Sequence, residues 1–179
     1  MAGQSSTPKI YTVGHSTHSG DEFLAILNAF GIELLADIRT VPRSRHNPQY
    51  ERDTLDAFLA EHGIEYVHLA ALGGLRRPRK DSVNTGWRND SFRGYADYMQ
   101  TPEFGNAIED LMARAAERRT VIMCAEAVPW RCHRSLVGDA LLVRGIEVED
   151  IMSATNSKPH RLTPWARVEG GGITYPAAE

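Results

Sequence analysis

Val121-Ile-Met-Cys124-Ala-Glu126-Ala-Val-Pro129-Trp130-Arg131-Cys132-His133-Arg134, running on into Ser135-Leu-Val-Gly-Asp-Ala-Leu-Leu-Val-Arg-Gly145, is the stretch that decides the fold. A β-branched apolar run ends in a cysteine and reads as a buried strand. A polar loop follows, holding a carboxylate, a proline, a second cysteine, a histidine and two arginines. Leu136, Val137, Ala140 and Leu141 then share one helical face, and Gly145 suits the stop. A strand, a polar loop and a helix in that order bring side chains and free backbone N–H groups to one point, which suits an anion or a reacting group.

Working outward, four more apolar runs read as strands, at 10–13, 34–38, 66–69 and 146–151. Helical patterns separate most of them. Ser19-Gly-Asp-Glu22 has the form of a capping box, followed by Phe23, Ile26, Leu27 and Phe30 on one face. Asp53 is placed to cap a second helix with Leu55, Phe58 and Leu59 inward. A third starts near Pro102, with Phe104, Ile108, Leu111, Met112 and Ala115 on one side. Strands alternating with helices predict a three-layer α/β fold, a mostly parallel five-stranded sheet with helices on both faces. Residues 10–176 are expected to form one domain, preceded by a flexible tail over 1–9.

The 179 residues carry a net charge of −3, with 42% hydrophobic and 24% charged side chains. That balance is ordinary for a globular protein and gives no global attraction to nucleic acid. No apolar run approaches the ~18 residues of a membrane span, and the N-terminus lacks signal-peptide character. A cytoplasmic protein without membrane contact is expected, its two cysteines thiols or ligands rather than a staple. Residues 76–93 break the alternation. They hold six Arg or Lys against two Asp, a local +4. A segment this long and polar reads either as a solvated loop or as an arm over an anionic ligand, exposed and more mobile than the sheet.

Each predicted strand is followed by residues that a plain core does not need: Gly14-His15-Ser16, then Asp37, Arg39, Pro42 and Arg43, then Leu72-Gly73-Gly74, then Cys124 and Glu126. In a parallel sheet these ends share one edge, where open α/β folds bind ligands. His15 can cap a turn or catalyse. Asp37 and Arg39 can form a structural ion pair or face a ligand, and Arg43 can hold phosphate or stay solvated. Cys124 reads as a buried small hydrophobe, as a nucleophile activated by the helix N-terminus with Arg131, Arg134 or His133, or as a metal ligand with Cys132, His133 and His15. The Cys-x7-Cys-His spacing does not match common zinc motifs, so no metal site is assigned, and a Cys124–Cys132 disulfide is a further alternative.

Gly14-His15-Ser16, Asp37-Ile-Arg39, Leu72-Gly73-Gly74, Cys124-Ala-Glu126 with Cys132-His133-Arg134, and His160-Arg-Leu-Thr-Pro-Trp165 in this order resemble the family called domain of unknown function 488. The resemblance runs from about Ile10 to Tyr175 and implies a compact cytoplasmic α/β protein. A looser resemblance to rhodanese-type sulfurtransferases rests on Asp37-Ile-Arg39 and on a cysteine that ends a strand before a loop and helix. It implies that Cys124 is a nucleophile. The expectation is an enzyme for a phosphorylated, nucleotide-like or sulfur-bearing substrate. Cys124 would be nucleophile or redox thiol, His15 or His133 acid and base, and Glu126 or Asp37 the orienting carboxylate. Ser16, Arg39, Arg43 and Arg134 would bind the substrate, with no cofactor identified. The alternative is a nucleic-acid-binding module without chemistry, using Arg76–Lys80, Trp87, Arg88, Phe92, Arg93 and Tyr95.

Overall fold

The computed structural model describes residues 8–178. Four parallel crossovers build the sheet. Strand β1 (Lys9–Gly14) leads through α1 (Gly20–Ala29) to β2 (Leu34–Asp37), and α2 (Arg52–Glu61) leads on to β3 (Glu65–His68). Two helices, α3 (Asp90–Tyr98) and α4 (Pro102–Glu117), return the chain to β4 (Thr120–Cys124), and α5 (Arg134–Val143) carries it to β5 (Glu147–Ser153). The first residues of the predicted tail fall outside the described residues. Lys9 already belongs to β1, and Pro8 accepts from the Glu147 N–H at 2.8 Å.

All five predicted strands form, and a sixth joins them. Strand β6 (Asn156–Pro159) runs antiparallel to β5 at the sheet edge, giving the order β3-β2-β4-β1-β5-β6. Its polar sequence, ending in proline, has no apolar period to betray it, which is what an exposed edge favours. A separate hairpin, β7 (Arg167–Glu169) with β8 (Gly172–Thr174), was equally invisible to periodicity.

Helices cover both faces, as alternation along the strands requires. On β4, Val121 and Met123 pack with Phe23, Leu27, Leu55 and Leu59 of α1 and α2. Ile122 faces the other way, toward Tyr95 of α3, Phe104, Ile108 and Leu111 of α4, and Leu136 and Leu141 of α5. Each fully buried aliphatic side chain contributes roughly 1.5–3 kcal/mol. Ser19 caps α1 through Glu22 N as expected. Asp53 does not cap α2. That helix starts at Arg52 after Glu51, and Asp53 lies in the first turn, where its charge favours the helix dipole.

The chain leaves β1 and β2 over the α1/α2 face but leaves β4 over the α5 face. The carboxyl end of β4 therefore sits beside a point where the chain turns to opposite sides of the sheet, which opens a crevice above the strands.

Candidate functional site

A cavity of about 460 Å³ lies in that crevice. Cys124, Glu126, Arg39 and Arg43 line it, together with Arg131, Cys132 and His133 from the turn before α5. Gly74 and Leu75, after β3, close another side, and Asn89, Ser91 and Phe92 reach it from the start of α3.

The loop after β4 is held by the ladder beneath it. Cys124 pairs with Gly14, and the pairing continues past the strand ends as His15 N–H donates to Cys124 O and Ser16 N–H to Ala125 O, both at 2.9 Å. This approach is so close that a Cβ on Gly14 would fall 1.6 Å from Glu126 O. Gly14 is thus a glycine because the loop carrying Glu126 occupies the place of a side chain. Gly74 answers a similar need, since a Cβ there would meet His133 Nδ1 at 2.6 Å.

Arg134 opens α5 and is fully buried. Its Nη1 donates to Cys124 Sγ at 3.6 Å and to Glu126 O at 3.3 Å, and its Nη2 to Ala127 O at 3.2 Å. No carboxylate pairs with it among the described residues, and its Nε has no partner. A guanidinium buried this way is costly unless a negative group meets it. Burial works to raise the Cys124 pKa, yet a hydrogen bond with Cys132 and the Arg134 charge outweigh it, and the pKa falls. Cys132 is shifted the other way, first by the bond with Cys124 and then by burial, so it keeps the proton that Cys124 gives up. The α5 N-terminus acts on Cys132 rather than Cys124: Arg134 N–H donates to Cys132 Sγ at 3.5 Å. Both cysteines are free thiols.

His133 donates from Nε2 to Ile38 O at 2.9 Å, which leaves Nδ1, 3.4 Å from Cys132 Sγ, as the acceptor of a neutral ring. Burial lowers its pKa to about 4.

Arg39 is gripped from behind. Its Nε and Nη2 make a two-pronged contact with Asp37 at 2.9 and 2.7 Å, and Nη2 also donates to Tyr50 O. Tyr66 donates to the same carboxylate at 2.6 Å. Burial opposes the Arg39 charge, but Asp37 more than compensates and the pKa rises. Arg39 Nη1 remains buried and unpartnered.

The predicted site residues therefore divide. Cys124, Glu126, Arg39, Arg43 and His133 line the cavity. Arg134 and Asp37 lie behind it, each holding a lining residue in place. His15 and Ser16 do not line it. The His15 ring is buried, stacks on Tyr50 at 4.1 Å and donates from Nδ1 to Ser16 O, and burial lowers its pKa to about 4. Ser16 takes a left-handed φ of 49° to make the turn. Sequence reasoning missed Leu75, Asn89 and Ser91, for which no local cue exists, while Arg131, read as a charge near Cys124, lines the cavity. No group of three or more His, Cys, Asp or Glu is set to hold a metal ion among the described residues.

The basic arm is exposed at most positions but tied down. Buried Asp97 accepts from Arg79 N, Ser82 Oγ and Asn84 Nδ2, and Asn84 in turn accepts from Tyr175 N.

A family model described as "Domain of unknown function DUF488" matches residues 19–141, which leaves Gly14–Ser16 and His160–Trp165 outside the matched span. No curated protein and no solved structure matches the chain, and the rhodanese likeness gains no support. No helix among the described residues is long and apolar enough to cross a membrane.

Proposed function

The chain belongs to the DUF488 family, and we propose that its crevice is the active site of a thiol-dependent enzyme for a small anionic substrate. One observation carries this reading. Arg134 is fully buried, has no carboxylate partner among the described residues and touches Cys124 Sγ, so a Cys124 thiolate is the counter-charge it lacks. A thiolate is the nucleophilic form of cysteine.

In this reading Cys124 attacks an electrophilic phosphorus, carbon or sulfur atom. The S–X bond forms as the leaving group departs with its electron pair. Cys132, which keeps its proton and lies 3.4 Å from His133 Nδ1, is the proton source for that group. Glu126 at the exposed mouth is the carboxylate placed to activate a water that releases the adduct. Arg39, Arg43 and Arg131 line the cavity and supply positive charge for an anion. His133 orients Cys132, and His15 shapes the turn beneath.

The nucleic-acid-binding alternative has less behind it, because several arm cations are already engaged. Arg76 lies 3.6 Å over the Tyr98 ring, Arg79 pairs with Asp81, and Arg93 binds Trp87 O and Asp90.

Competition between iodoacetate and iodoacetamide tests the proposal. A thiolate in an arginine-lined cavity should react first at Cys124, and should favour the anionic reagent more than a free cysteine does. Arg43→Ala, at an exposed position, should weaken that preference while leaving the iodoacetamide rate. Labelling at Cys132 first, or discrimination against iodoacetate, would overturn it.

A further inference from the structure

The larger of the two cavities near the end of β4 is not the thiol pocket. It measures about 580 Å³, within the size range of small-molecule sites. All three tryptophans of the chain, Trp87, Trp130 and Trp165, line it. Two of them are open to solvent, Trp130 at 66% and Trp165 at 43%. Trp165 packs T-shaped on Trp87 at 4.9 Å, so the uncovered stacking surface without a partner is Trp130. Trp87 lies beneath, packed also on Phe92 and Tyr175, with its Nε1–H enclosed. At the rim stand Lys158 and Arg161, exposed and free of ion pairs among the described residues.

The inner wall is rigid. His160 lies between Asp150 and Asp139, and both of its ring nitrogens are within 3.0 Å of a carboxylate. Asp139 also accepts from Thr163 and Tyr175, and Asp150 from Thr12. These groups satisfy one another, so recognition falls to Trp130 and the two cations.

We propose that this cavity binds a nucleoside phosphate, the base stacked on Trp130 and the phosphate beside Lys158 and Arg161. A flat ring with an anionic tail matches the open indole and the two unpaired cations, whereas a neutral aliphatic ligand would use neither. The turn before α5 joins this cavity to the thiol pocket: Pro129 and Trp130 face one side, Arg131, Cys132 and His133 the other. The binding site stands independently of the thiol-enzyme reading.

Because every tryptophan lines the cavity, intrinsic fluorescence of the intact chain reports on it alone. Titration with 5′-AMP should quench the emission saturably, and Trp130→Ala should weaken binding by at least about tenfold. Arg161→Ala should weaken 5′-AMP but not adenosine. Both residues are exposed, so neither truncation disturbs the core. Cys124→Ser should bind 5′-AMP as the parent does, which separates this site from the thiol chemistry. The proposal is overturned if inorganic phosphate quenches equally, if Trp130→Ala leaves affinity unchanged, or if a short single-stranded oligonucleotide binds far more tightly than 5′-AMP, which would make the surface a strand-binding one.

Discussion

Arg134 and Cys124 are best understood together with Cys132, because the three share one charge and one proton between them. Cys132→Ala removes the interaction that favours the Cys124 thiolate, so the Cys124 pKa should rise. Thiol titration of that variant checks this, and an unchanged value would mean that Arg134 alone sets the charge. Asp37 presents the opposite case, a buried carboxylate whose partner is visible. Asp37→Ala leaves the Arg39 guanidinium enclosed without its fork, and should cost about 3–5 kcal/mol in chemical denaturation. A loss below 1 kcal/mol would show that Arg39 swings out to solvent instead.

The loop after β4 depends on the strand beside it. Gly14→Ala places a methyl group where Glu126 O lies, so the loop must move. The variant should lose about 3 kcal/mol or more and react sluggishly at Cys124. Wild-type reactivity in Gly14→Ala would show that the loop is not built on β1. The same contact explains what was legible in advance. Gly14, Asp37, Arg39, Gly74 and Cys124 stood out because each follows an apolar run, and a parallel sheet gathers such positions on one edge. The division between lining and supporting residues was not legible. It depends on whether a side chain turns toward Tyr50, as His15 does, or runs back under its own loop, as Arg134 does, and both are set by packing across the sheet. Helix α3 escaped notice because Gly94 and a basic approach blur its period. A Cβ on Gly94 would lie 2.3 Å from Arg76 O, so that glycine lets the arm rest on the helix. His160 and Thr163 stood in a quoted motif with no role; their partner Asp139 is far off in sequence, on α5.

Across the whole molecule, three histidines give stability a defined pH dependence. Burial works to lower the His160 pKa, but Asp139 and Asp150 outweigh it and raise the value to about 9. Its contribution is complete below the unfolded value near 6.5 and is lost as pH climbs to about 9, an effect on the order of 3 kcal/mol. His15 and His133 titrate the other way. Both are held neutral to about pH 4, so their contribution is present above 6.5 and lost as pH falls toward 4. Denaturation midpoints against pH should therefore peak near neutrality, and His160→Gln should flatten the alkaline limb alone. A midpoint that is level from pH 6.5 to 9 in the parent would mean that His160 is neutral between its carboxylates.

The most direct measurement is the rate of Cys124 alkylation against pH in the unaltered protein, followed by mass spectrometry so that Cys132 is counted separately. An ion pair between Cys124 and Arg134 predicts an apparent pKa below the ~8.5 of a free cysteine, with Cys132 unreactive over the same range. An apparent pKa at or above ~8.5 for Cys124 would mean that Arg134 is buried against a neutral thiol, and would remove the nucleophile from the site.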